Sequence, residues 1–81
     1  MNEILQIEGL SNIVLDTDLV HLFEPHGTVV TASVTANLLT GLCSGSGRIE
    51  MGSQAEARAA TAALDGAEYL GRRLKVTGKV G

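Results

Sequence analysis

The chain has 81 residues, 44% of them hydrophobic, 19% charged and 2% aromatic, with a formal net charge of -3. That length makes one soluble globular domain with room for a single core, and the negative balance counts against strong electrostatic capture of nucleic acid. No apolar run approaches the ~18 residues that a membrane-spanning helix needs. The amino terminus lacks the basic-then-apolar plan of a secretory signal. The expectation is therefore a cytoplasmic protein with no membrane partner.

The distribution of charge says more than the sum. Glu3, Glu8, Asp16, Asp18 and Glu24 precede every basic residue, and Arg48, Arg58, Arg72, Arg73, Lys75 and Lys79 follow. Any basic patch must be assembled from the second half of the chain. A single cysteine, Cys43, excludes an internal disulfide and reads as a small apolar residue in a loop, with no Lys or Arg beside it in sequence to activate a thiolate.

Taken in order, Ile4 to Ile7 is an apolar, β-branched run ending at Gly9, which predicts a first strand with Leu5 and Ile7 facing one way and Gln6 and Glu8 the other. Ser11 to Leu15 connects to a helix for which Asp16 is the expected cap and Asp18 a favourable first-turn charge. Leu19, Leu22 and Phe23 form its apolar stripe, and Pro25 and Gly27 stop it. Val29 to Ala36 alternates, which predicts a half-buried strand with Val30, Ala32 and Val34 inward and Thr31, Ser33 and Thr35 outward.

Asn37 to Gly45, with Thr40-Gly41 and the start of a Ser-Gly repeat, predicts a long flexible hairpin loop. The next strand places Gly47, Ile49 and Met51 on one face and Ser46, Arg48 and Glu50 on the other. Ser53-Gln54-Ala55-Glu56 has the spacing of a capping box, in which the glutamate reaches back to the serine amide. Ala57, Ala60, Thr61 and Leu64 are the buried face of the helix it starts, and Asp65-Gly66 closes that helix. Tyr69-Leu70 suggests a short hairpin arm. Arg72 to Thr77 reads as a last strand with Leu74 and Val76 inward and Arg73, Lys75 and Thr77 outward.

The order β-α-β-β-α-β predicts an α+β, ferredoxin-like domain: a four-stranded antiparallel sheet with both helices on one face and the other face open. Chain and spacing together resemble an RNA recognition motif domain over nearly the whole length. The third-strand octapeptide of that family corresponds to Ser44-Gly45-Ser46-Gly47-Arg48-Ile49-Glu50-Met51, and its first-strand hexapeptide to Leu5-Gln6-Ile7-Glu8-Gly9-Leu10. Leu19 to Gly27, Asn37 with Thr40-Gly41, Ala57 with Ala60, and Leu64-Asp65-Gly66 running to Gly71-Arg72-Arg73-Leu74-Lys75-Val76 extend the match.

The resemblance implies a small module that binds single-stranded RNA, with single-stranded DNA as a related ligand, on the open sheet. Members stack bases on aromatic rings at the positions held here by Gln6, Ser46 and Arg48, and none of these is a ring. At about 1–3 kcal/mol per stacked base, binding is expected to be weak or atypical. Gln6, Ser46, Arg48, Arg73, Lys75 and Thr77 are the candidate contacts. The guanidinium of Arg48 can lie on a base or fork onto a phosphate, unless it pairs with Glu8 or Glu50 on an ordinary solvated face.

The alternative is a degenerate member that binds protein, including a homodimer formed through the Thr31–Thr35 edge, which is uncharged and free of proline. A ligand-sensing ferredoxin-like domain has no distinctive motif in its favour. The Ser-Gly run lacks the lysine and following helix of a phosphate loop. His21, His26 and Cys43 do not have metal-ligand spacing, and no nucleophile, base and orienting group can be nominated. Neither an enzyme nor a cofactor is expected.

Overall fold

The computed structural model describes residues 3–79. Its main sheet is built from β1 (Glu3–Glu8), β2 (Val29–Ala36), β3 (Cys43–Met51) and β6 (Lys75–Lys79), in the order β2-β3-β1-β6 with every neighbouring pair antiparallel. α1 (Asp16–Phe23) and α2 (Gln54–Leu64) cover one face, and a small hairpin of β4 (Glu68–Tyr69) and β5 (Arg72–Arg73) precedes the last strand. The predicted architecture is the observed one.

A single core lies between sheet and helices. Leu5 and Ile7 of β1, Ile49 and Met51 of β3 and Val76 of β6 meet Leu19 and Phe23 of α1 and Ala57, Ala60 and Leu64 of α2, all buried. The small alanines let α2 lie close to the strands. Gly47 does the equivalent on the sheet side: a Cβ there would stand 2.9 Å from Leu19 Cδ1 and 3.1 Å from the Ser33 carbonyl oxygen. The Leu19 side chain of α1 therefore seats over β3 because that position has no side chain.

The helix starts differ from the sequence expectation, and both differences bind distant segments together. The cap position of α1 is Leu15, one residue earlier than predicted; its N–H donates to Asp18 Oδ2 at 2.8 Å. Asp16 is left free to accept the Val34 N–H at 2.8 Å, tying the helix start to β2. At α2, Ser53 Oγ accepts the Glu56 N–H at 3.2 Å as expected. The Glu56 carboxylate does not return to the Ser53 amide; it accepts from the Ser53 hydroxyl at 2.9 Å and from the Thr28 N–H across the turn before β2. These bonds favour the ionised form, so the carboxyl is held below its ordinary value of 4.5, chiefly by the Thr28 amide.

β2 is not the flat edge its alternation suggests. Val29 pairs with Met51 and Thr31 with Glu50, so Val30 is an extra residue that bulges out of register and is 46% exposed rather than inward. A second register shift falls between Val34 and Ala36. The opposite edge is guarded in a parallel way, since Asp65 Oδ1 accepts the Val76 N–H at 3.0 Å.

Three boundaries move as well. Cys43 is in β3 and buried, not in a loop, and the connection from β2 shrinks to residues 37–42, closed by Asn37 N–H donating to the Leu42 carbonyl at 2.7 Å. The predicted last strand is split at Leu74, whose N–H and carbonyl are taken by Ala67 and Gly66 rather than by β1. Arg73 consequently pairs with Glu68 in the hairpin and is not a member of the main sheet.

Candidate nucleic-acid interface

The face of the sheet away from the helices is ordered by strand register. Gln6 of β1 is opposite Arg48 of β3 on one side and Thr77 of β6 on the other, and Arg48 is opposite Ser33 of β2. Ser33, Arg48, Gln6 and Thr77 therefore form one row across all four strands, about 14 Å wide at the usual ~4.8 Å strand spacing. All four are exposed. A second row sets Ser46, Glu8 and Lys75 side by side, and a third sets Thr31, Glu50 and Ile4.

Charges on this face are mixed. Lys75 has Glu8 as its register partner, while Glu50 accepts from the Thr31 hydroxyl at 3.5 Å. Arg48, at the centre of the face, joins none of the other described residues by hydrogen bond or ion pair. Its planar fork is free to lie on a base or to take two phosphate oxygens. The Thr77 hydroxyl donates to the main-chain carbonyl of Gln6 at 3.5 Å.

Both aromatic residues are elsewhere. Phe23 is fully buried under the sheet. Tyr69 is half-buried in the hairpin and packs against the core; burial, reinforced by the Asp18 charge, pushes its phenol above the ordinary value. The face thus offers hydrogen-bonding groups and cations and no ring.

Of the six residues nominated from sequence, Gln6, Arg48, Thr77, Lys75 and Ser46 come together in two adjacent rows, with Ser46 half-buried and the others exposed. Arg73 lies apart, beyond the end of β1. Its carbonyl would be 2.3 Å from a Cβ on Gly9, whose φ of +83° a side chain would also strain. Sequence reading missed a polar cleft at this end of the sheet, lined among others by Gly9, Asn12, Ser44, Gly45 and Arg72. The glycines at both strand ends were its only signal.

An open-faced four-stranded antiparallel sheet backed by two helices, with a polar row crossing all four strands, defines a ferredoxin-like α+β domain. Within that class the chain belongs to the RNA recognition motif family, whose model matches residues 5–75. It is 43% identical over 72 residues to RbpA of Nostoc sp., a match covering 89% of this chain and 71% of that protein. The crystal structure of RNA Binding Protein PG1 is similar with a TM-score of 0.91 and 30% identity, over 98% of this chain and 95% of that one. A chain of the Sxl-lethal protein/RNA complex is similar with a TM-score of 0.86 and 26% identity, over 95% of this chain and 46% of that one.

Proposed function

We propose that this chain is an RNA-binding module that holds single-stranded RNA across its open sheet by hydrogen bonds and charge rather than by ring stacking. The observation that carries the proposal is the exposed row Ser33, Arg48, Gln6, Thr77, with a guanidinium near its centre that joins none of the other described residues. Similarity to RNA Binding Protein PG1 and to a protein solved in complex with RNA supports the same reading. Arg48 covers a base or forks onto a phosphate, Lys75 takes a neighbouring phosphate, and Gln6, Ser46 and Thr77 meet base edges or ribose hydroxyls. Arg73 contributes from the hairpin, at the margin of the face.

The bulge at Val30 and the Asp16 cap on Val34 weigh against a homodimer paired through Thr31–Thr35, because a blunted edge is a poor template for another strand. The role is one of binding, and the cytoplasm is its proposed compartment.

Titration with short single-stranded RNA at low salt, followed by amide chemical shifts, tests the reading. Shifts concentrated at Gln6, Arg48 and Lys75 are expected, with weaker shifts for single-stranded DNA of the same sequence. An absence of shifts at saturating RNA would refute it.

A further inference from the structure

β6 is an edge strand packed against α2, and its outer edge is only partly closed. Asp65 Oδ1 takes the Val76 N–H at 3.0 Å, so that amide points away from β1. Alternation along the strand turns the N–H and carbonyl of Gly78, two residues on, to the same outer side. No other described residue hydrogen-bonds to them there. The guard on this edge stops at Val76.

The core is open at the same place. Val76 faces the helices and is buried, and Gly78, in phase with it and opposite Leu5 in register, has no side chain to follow. What remains is a mostly apolar groove of about 420 Å³, lined among others by Leu5, Ala57, Thr61, Ala62 and Gly78. That volume falls in the range of roughly 300–1,000 Å³ in which pockets hold ligands. Within 4 Å, a Cβ on Gly78 would meet only Leu5 Cδ2, at 3.9 Å, so packing of the chain itself does not require a glycine there.

One cation borders the groove. Arg58 of α2 is in its lining, is exposed, and joins none of the other described residues by hydrogen bond or ion pair. α2 runs against β6, from the end where Met51 and Lys79 flank the start of β1 to Asp65 at Val76. The helix rises about 10 Å from Arg58 to Asp65, and the strand covers about the same from Val76 to Lys79. Arg58 is therefore level with the edge just past Gly78.

We propose that this edge takes an extended peptide segment of a partner protein as an added strand, independently of RNA on the open face. The peptide pairs antiparallel to β6. Its residue opposite Gly78 exchanges two main-chain hydrogen bonds with that glycine and, lying on the same face of the sheet, places an apolar side chain in the groove against Leu5 and Ala57. An acidic residue two positions earlier in the peptide shares that face and meets Arg58, whose guanidinium forks onto a carboxylate. Glu3, also in the lining, is on β1, with β6 between it and the added strand. The partner is thus an acidic residue and an apolar residue spaced by one, in an extended segment.

The test titrates the protein with the capped peptide acetyl-Thr-Glu-Thr-Leu-Thr-Thr-amide and follows amide chemical shifts. Shifts are expected at Gly78, Leu5 and Ala57, with Arg48 unmoved. Gly78→Val fills the groove, should unfold at the same temperature as the wild type or higher, and should weaken the peptide by about tenfold or more. Methylating the leucine nitrogen of the peptide removes one strand bond and should weaken it by about tenfold as well. Arg58→Glu should weaken it by about threefold or more, and a peptide with lysine in place of glutamate should recover that loss. Equal binding of the methylated peptide would overturn the added strand, and equal binding by Gly78→Val would overturn the groove. No shift at saturating peptide, or shifts at Gly78 from single-stranded RNA and none from the peptide, would overturn the inference as a whole.

Discussion

Gln6 and Arg48 stand opposite each other at the centre of the sheet, register partners on β1 and β3, at two of the positions to which the family resemblance assigns stacking rings. Both side chains are exposed, so neither is required by the core. Gln6→Phe should therefore keep the fold and raise affinity for single-stranded RNA by about 1–3 kcal/mol, the value of one stacked base. Calorimetric titration of wild type and variant checks this. An unchanged affinity would mean that bases do not reach this row.

Glu56 makes stability sensitive to acid. Its carboxyl is lowered in the folded state, first by the Thr28 amide and then by the Ser53 hydroxyl. The stabilisation is fully present above the unfolded value of 4.5 and is lost as pH falls from there through the lower folded value. Urea midpoints measured across that window should fall more steeply for the wild type than for Glu56→Gln, which cannot titrate. Parallel curves would show that the link between α2 and Thr28 contributes nothing.

Asp16 holds the Val34 N–H on the β2 edge. Asp16→Ala should cost about 1 kcal/mol of stability for the lost hydrogen bond, and it should expose an edge amide to pairing. Sedimentation across concentration should show the variant associating more readily than the wild type. Equal association would mean that the Val30 bulge alone protects the edge.

Two single substitutions probe backbone geometry. Gly47→Ala forces a methyl against Leu19 and the Ser33 carbonyl, and it should destabilise by about 1–3 kcal/mol. Leu70→Asn places a residue that tolerates positive φ before Gly71, whose φ is +79°, and it should stabilise by about 1 kcal/mol. Thermal unfolding reads both. Opposite signs at either position would contradict the packing or the turn described above.

Much of the fold was legible because its signals are local. The alternation of Gly47, Ile49 and Met51 against Ser46, Arg48 and Glu50 survives intact in β3, and so does the alanine face of α2. What escaped the sequence depends on partners far along the chain. Val30 looks inward by alternation until a bulge opposite Glu50 turns it out. Asp16 and Glu56 have the types and spacing of helix caps, yet each spends its carboxylate on a backbone amide in another segment. Arg73 lay in phase with Lys75, but the hydrogen bonds of Leu74 to the chain before β4 broke the strand between them.

The central claim is that RNA lies on a ring-free face through charge and hydrogen bonds. Its most direct test is the salt dependence of affinity for single-stranded RNA in the wild type and in Arg48→Ala. Each phosphate contact contributes about -0.7 to the slope of log K against log salt on a single strand. With Arg48 and Lys75 engaged, a wild-type slope of roughly -1.4 or steeper is expected, made shallower by about 0.7 in the variant. Affinity and slope that Arg48→Ala both leave unchanged, or no measurable binding at low salt, would contradict the account.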